Sequence, residues 1–240
     1  MNVIESLIES TATVPVRRVL TGCFNTVVQS SGWGLASTLK PTSWQHDGVP
    51  GAGTLTGQDA RKLAELLRSD NLLAASVGIA AINSTLETAS LPLKELNARE
   101  LLVAKGKGGV LGMIGHFPFV DRARHLFRDT LVFELEPQPG DLSSEDIKTR
   151  LKEADVVAIT ATSLINHTFE EIISACRKGS YRVLLGPSTP VTAELFNFGI
   201  DAVSGSIVTD EAFLPMVAEG TPFRQLRGIS HVTLLKEDIH

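Results

Sequence analysis

The feature that most constrains this chain is the regular alternation of its second half. Strand-like apolar runs occur at 110–115 (VLGMIG), 130–136 (TLVFELE), 155–161 (DVVAITA), 181–186 (YRVLLG) and 201–208 (DAVSGSIV). Helical patterns fill the intervals at about 119–128, 143–153, 168–178, 190–198 and 210–219. Strands separated by helices cannot pair as hairpins. They form a parallel sheet with right-handed crossovers and helices on both faces, a doubly wound, Rossmann-like α/β arrangement. Ser143, Thr168, Thr189 and Thr209 are placed to cap helices, with Pro190 in a first turn. The tail HVTLLKE is suited to an edge strand.

The first half has a different texture. Ile4, Leu7 and Ile8 share one face of a short amphipathic helix over 2–9. From Val14 the pattern turns to β, in VPVRRVLTG, FNTVVQS and WGLAST, with Ser30-Ser31-Gly32 as a hairpin turn between the second and third runs. The Gly- and Pro-rich stretch 41–53, which contains Trp44 and His46, reads as a loop. Thr56-x-x-Asp59 resembles a capping box in its acidic variant, ahead of a stripe of Ala60, Leu63, Ala64 and Leu67. A second helix from Asn71 is apolar nearly all round and is expected to be buried. Its one late polar residue, Asn83, is expected to satisfy a buried backbone group rather than to face a second domain. Periodicity lapses over 91–100, which reads as a linker. The expected division is a small α+β domain at 1–95 and a Rossmann-like α/β domain at 96–240.

Composition narrows the function. A formal net charge of −5 with no block of like charges disfavours nucleic acid as a partner. No apolar run approaches the roughly 20 residues of a membrane helix, so no membrane partner is expected. Cys23 and Cys176 lie far apart in apolar settings, and the opening MNVIESLIES has no cationic segment. Reduced, packed thiols in a cytoplasmic protein are the expectation.

Ligands of open parallel sheets bind beyond the carboxyl ends of the strands, where the winding reverses. Here that edge gathers Gly115, His116, Phe117 and Pro118 after the first strand, and Thr160, Thr162, Ser163, Asn166 and Thr168 after the third. Pro187, Ser188 and Thr189 follow the fourth, and Ser204-Gly205-Ser206 closes the fifth. The expected ligand-binding set is Gly115, His116, Phe117, Pro118, Ser163, Asn166, Thr168, Pro187, Ser188 and Thr189. Thr168, Ser188 and Thr189 also have the plainer role of helix caps, and Gly115 that of a tight turn. The spacing Gly112-x-x-Gly115-x-x-Pro118 departs from a dinucleotide fingerprint, although Glu134 and Glu136 supply the acidic residue that a ribose would need. No histidine pair has i, i+4 spacing and no C-x-x-C occurs, so the metal candidates reduce to the loop residues His116 and His167. No G-x-S-x-G elbow is present, and Cys176 falls within a helical pattern, so no nucleophile stands out.

Three stretches taken together, MIGHFPFV, DVVAITATSLINHTFEEII and VLLGPSTPVTAELFNFGIDAVSGSIVTD, resemble domain-of-unknown-function family 364, labelled a "putative heavy-metal chelation" family. TGCFNTVV, GTLTGQDARKLAELL and NLLAASVGIAAIN resemble the small domain that accompanies it. The resemblance implies an enolase-N-terminal-like domain packed on a Rossmann-like domain, with a site in the cleft between them. It implies a metal ion or metal chelate as the ligand, and no settled reaction. His116 departs from the aromatic or small residue that the family pattern leads one to expect. The function expected is the handling of a metal chelate or a small anionic ligand. The alternatives are a nucleotide-cofactor enzyme and a non-enzymatic homodimeric interaction protein. An enolase-like architecture does not transfer enolase chemistry, which needs a barrel and Mg²⁺.

Overall fold

A computed structural model describes residues 1–40 and 47–239, so Trp44, His46 and His240 lie outside the described residues. Ten strands fall into two sheets among those residues. The first half opens with helix α1 (Val3–Ser10), capped by the Asn2 side chain, with Val3, Leu7 and Ile8 buried and Ile4 partly so. Strands β1 (Arg18–Thr21), β2 (Asn25–Gln29) and β3 (Trp33–Ser37) pair as an antiparallel meander, and Ser30 N–H donates to Gly32 O in the β2–β3 turn. Helix α2 (Ala60–Ala64) follows. Its cap is Asp59, whose carboxylate accepts from Arg61 N–H, so the capping box expected at Thr56 does not form. Helix α3 (Leu72–Asn83) is capped by Asn71 and buried on every side from Ala74 to Ile82, as its uniformly apolar sequence requires.

Glycine lets α3 approach its neighbours this closely. A Cβ on Gly34 of β3 would lie 1.9 Å from the Ala80 carbonyl, and one on Gly78 would lie 2.3 Å from Leu67 N. Neither clash involves a side chain that can swing away.

The second half begins with helix α4 (Ala98–Gly106), capped by Asn97. The stretch expected as linker therefore ends in a helix, because Asn97 accepts from Arg99 N–H and the LLVA run that follows supplies apolar residues for packing. Then come β4 (Val110–Ile114), α5 (Val120–Ala123), β5 (Asp129–Glu134), β6 (Leu142–Ser143), α6 (Ile147–Arg150), β7 (Val156–Thr160), α7 (Thr162–Ile165), α8 (Phe169–Ala175), β8 (Tyr181–Leu185), β9 (Ala202–Val208), α9 (Phe213–Ala218) and β10 (Ile229–Leu235). The sheet order is β10-β9-β8-β7-β4-β5-β6. All pairs are parallel except β10 on β9. The winding therefore runs outward in both directions from β4, and HVTLLKE forms the expected edge.

The crossover helices are shorter than their sequence patterns. The stretch 190–198 is a 3₁₀ turn (Ala193–Phe198) capped by Thr192, not a helix started by Thr189 and Pro190. Thr209 is likewise not a cap, since α9 starts only at Phe213 and Asp210 holds the preceding turn by accepting from Ala212 N–H. Ser143 does cap its turn, in a capping box with Asp146.

The small sheet rests on the second half through an apolar cluster of Val27, Leu35, Phe213 and Val217, with Trp33 edge-on to Phe213 at 5.3 Å. Cys176 is partly buried at the end of α8, but Cys23 is exposed, contrary to the expectation of two packed thiols. No helix among the described residues is long and apolar enough to cross a membrane.

One carboxylate sets where β4 begins. Asp155 accepts from Val110 N–H at 2.8 Å and from Arg177 at 2.6 Å, and a Cβ on Gly109 would lie 2.6 Å from it. The Val110 N–H, helped by Arg177, holds this carboxyl below the ordinary Asp range. A depressed folded-state pKa contributes stability above the unfolded value of about 3.9, and loses it as pH falls through the folded value. Wild type is therefore expected to exceed Asp155→Asn in stability at neutral pH, with the gap closing below about pH 4. Urea unfolding across pH checks this, and a gap that widens in acid would contradict it. By the same measurement, Gly34→Ala is expected to cost about 3 kcal/mol through overpacking against Ala80.

Candidate functional site

A cavity of about 560 Å³ opens at the carboxyl edge of β4, β5 and β7, where the winding reverses. Its apolar floor is Ile114, Phe133, Ile147 and Ile172. Gly115 ends β4 with φ +94°, a region that side chains other than glycine's rarely adopt, and its N–H donates to Phe133 O. A Cβ there would also press on Thr160 at 3.2 Å. This turn brings His116 and Phe117 over the cavity, with Phe117 stacked on Phe119 at 5.7 Å. Pro118 points to solvent and is not part of the lining.

The other walls are polar. Thr160 and Thr162 contribute hydroxyls 2.9 Å apart, and Asn166 and Thr168 a pair at 2.8 Å. Ser144, Glu145 and Lys148 come from the turn and helix after β6, and Glu134 from the end of β5. Glu171 of α8 pairs with Lys148 at 2.9 Å. The Glu134 carboxylate accepts from His116 N–H and so pins the Gly115 loop. Three lining carboxylates (Glu134, Glu145, Glu171) thus face one ammonium, Lys148. Nothing in the sequence pattern marks Ser144, Glu145, Lys148 or Glu171 as site residues. The usable signal was the Ser143 capping box, which fixes the turn that carries the first three over the cavity.

Five of the expected site residues therefore meet here: Gly115, His116, Phe117, Asn166 and Thr168. The others lie outside this lining. Ser163 Oγ donates to Thr160 O at 2.7 Å and closes the turn into α7. Ser188 Oγ accepts from Ser37 N–H of β3 at 2.8 Å, and Ser188 O accepts from Asn83 at 3.3 Å. Asn83 also donates to Leu35 O at 2.9 Å, so it both satisfies a backbone group of its own half and reaches the other half. The loop Pro187–Thr189 thus docks the two halves. A second, smaller space of about 140 Å³ lies beside it, lined by residues that include Trp33, Asn83, Thr189 and Ser206, and none of its lining residues is charged. Among the described residues, the larger space draws its lining from residues between Ile114 and Ile172, and the smaller from residues of both halves.

The metal candidates separate in the same way. His167 has φ +62° and its Nε2 lies 2.7 Å from Leu67 O, which ties the loop after α7 to the first half. His116 lines the cavity. Among the described residues no group of three or more His, Cys, Asp or Glu is placed to hold a metal ion. Burial pushes the Cys176 thiol up to about 11, which keeps it protonated and unreactive at neutral pH. Glu136 is exposed and outside the lining, which leaves Glu134 as the carboxylate at the β5 rim.

Comparison with known proteins places the whole chain. The DUF364 family model, described as "Putative heavy-metal chelation", matches residues 97–236, and that of DUF4213, with the same description, matches residues 4–86. A crystal structure of a DUF364-family protein of unknown function from Desulfitobacterium hafniense is similar in fold, with TM-score 0.87, 24% identity and 98% of both chains covered. Another, from Pyrococcus horikoshii, has TM-score 0.79 at 18% identity, covering 97% of both chains. An uncharacterized protein of Methanocaldococcus jannaschii is 26% identical over 149 residues, which is 59% of this chain and 58% of that protein's length.

The division between docking and lining residues is open to measurement. Ser188→Ala strands the partly buried Ser37 N–H and is expected to cost about 1–3 kcal/mol in urea unfolding. Glu145→Gln, on the exposed cavity rim, is expected to stay within about 0.5 kcal/mol of wild type. Equal costs for the two variants would contradict the division.

Proposed function

The chain belongs to the DUF364 family, and on that footing we propose that it binds a metal in the form of a small, positively charged or neutral chelate, held beneath the Gly115 loop. The observation that carries this reading is the mismatch between charge and coordination. The cavity has an excess of negative charge, yet among the described residues no side chains converge as a metal site. A bare ion would find charge but no coordination sphere, whereas a chelate brings its own donors and needs only a complementary surface. The apolar floor accommodates the organic part, and the Thr160, Thr162 and Asn166 groups offer hydrogen bonds to its polar atoms. Anionic ligands, expected from the loop pattern alone, are disfavoured by Glu134, Glu145 and Glu171. Two unbonded cysteines support a reducing, cytoplasmic setting.

A nucleotide is the second reading, favoured by one observation: Glu134 closes β5 beside the Gly115 turn, where a ribose carboxylate stands in dinucleotide-binding sheets. Against it stand the short helix after that loop, α5, which spans only Val120–Ala123, and the acidic rim that phosphates would meet.

Thermal unfolding separates these readings. A one-to-one mixture of Ni(II) and acetohydroxamic acid, whose complex is cationic, is expected to stabilise the protein by about 2.7 kcal/mol at a hundredfold excess over Kd. That is a rise of roughly 5–11 °C for a chain of this size. Ni(II)–EDTA, which is anionic, is expected to give no rise. Stabilisation by NAD or ATP with none by the cationic chelate would overturn the proposal in favour of the nucleotide.

A further inference from the structure

We propose that the smaller space at the seam is a second binding site, which takes a neutral cyclic amide about one ring in size between Asn83 and Thr189. The inference is independent of the chelate reading, which concerns the larger cavity.

Two buried oxygens carry it. Asn83 Oδ1 and Thr189 Oγ1 belong to residues of the lining, and neither has a hydrogen-bond partner among the described residues, so they do not bond each other. Thr189 is only 2% exposed. Its hydroxyl is free because the turn that follows is capped by Thr192. Its backbone is fixed. The N–H donates to Gly186 O at 3.2 Å, and Gly205 of β9 allows a close approach, since a Cβ there would lie 3.0 Å from Thr189 O. The Asn83 amide is fixed as well. Its Nδ2 donates to Leu35 O at 2.9 Å and to Ser188 O at 3.3 Å, so the reverse orientation would set an oxygen against two carbonyls. Oδ1 is therefore the atom left for the space, and it can only accept.

Buried polar atoms nearly always pair, and leaving one unpaired is costly. A ligand that gives a hydrogen to Asn83 Oδ1 and accepts one from the Thr189 hydroxyl satisfies both. An amide held cis by a ring presents that N–H and C=O side by side. The rest of the lining selects the body of the molecule. Trp33, Leu35, Val191 and Ile207 are apolar and no lining residue is charged, so an ionised ligand would lose its hydration without gaining a counter-charge. The Trp33 ring is held edge-on to Phe213 at 5.3 Å, with the Arg18 guanidinium 5.7 Å from its centroid. A volume of about 140 Å³ suits one six-membered ring. Trp33 and Asn83 belong to the first half of the chain and Thr189 and Val191 to the second, so a molecule bound here bridges the two.

Titration of the full ¹⁵N-labelled chain with δ-valerolactam, a neutral six-membered cyclic amide, tests the site by NMR. Because Asn83 also holds the seam, its oxygen is probed from the ligand's side, with δ-valerolactone, which has a ring oxygen in place of the N–H. The lactam is expected to shift the Asn83 side-chain amide and Trp33 indole signals, with Kd in the millimolar range. The lactone is expected to bind about tenfold more weakly, since Asn83 Oδ1 stays unpaired. Thr189→Val removes the hydroxyl at nearly constant volume, and is expected to weaken the lactam about fivefold while the seam's amide signals stay in place. Unmoved Asn83 and Trp33 signals, the result for a space that holds only water, overturn the proposal. So do shifts confined to Gly115 and Asn166 of the larger cavity, equal binding of lactam and lactone, or undiminished lactam binding by Thr189→Val.

Discussion

The reversal of winding at β4 is the constraint on which the rest of the molecule depends. β4 is hydrogen-bonded to β5 on one side and β7 on the other, both parallel to it. The connections leaving their carboxyl ends must therefore part to opposite sides, and nothing in the sheet fills the space between them. Asp155 fixes where β4 starts by accepting from Val110 N–H, and Gly115 ends it with a positive φ. Between these two points the strand is wholly buried, so its register leaves no freedom in where the Gly115 loop emerges. The cavity follows from the topology, and the side chains around it decide only what it holds.

The first half of the chain makes a different contribution. Its antiparallel meander and the buried α3 cover the β8–β9 side of the large sheet through Val27, Leu35, Phe213 and Val217, and through hydrogen bonds to Ser188. Those contacts consume the loop after β8, which in an isolated α/β domain would stand open at the sheet edge. The larger cavity therefore lies away from this seam, at the β4–β5–β7 edge. Asn83 and Thr189 each keep one buried side-chain oxygen without a hydrogen-bond partner, in the lining of the smaller space beside the seam.

Much of this was legible in the sequence because strand and helix periodicities differ in kind. The five apolar runs of the second half all became strands within a residue or two, and the β-texture from Val14 became the meander. Helix starts were harder to read. Thr189 and Thr209 have the right residue type but stand too early, since Thr192 caps the first of these turns and Asp210 holds the second. The helix at Ala98 was masked by the Pro92 and charged residues ahead of it, although Asn97 carries the cap signal. In the site, the Gly115 loop and the Asn166–Thr168 turn could be read from their place after strands. Glu145, Lys148 and Glu171 could not, because an exposed charge on a helix looks the same in sequence whether it faces bulk water or a cavity. Ser163 and Ser188 in the expected ligand set, and His167 as a metal candidate, differ from the lining residues only in their backbone partners, which a sequence does not display.

The most direct test of the ligand's place is a crystal grown with Ni(II) and acetohydroxamic acid, with diffraction recorded at the nickel absorption edge. An anomalous peak in the large cavity, flanked by Glu134, Glu171 and His116, is the expected result. A peak confined to the seam beside Asn83 and Thr189, with the large cavity empty, would contradict it.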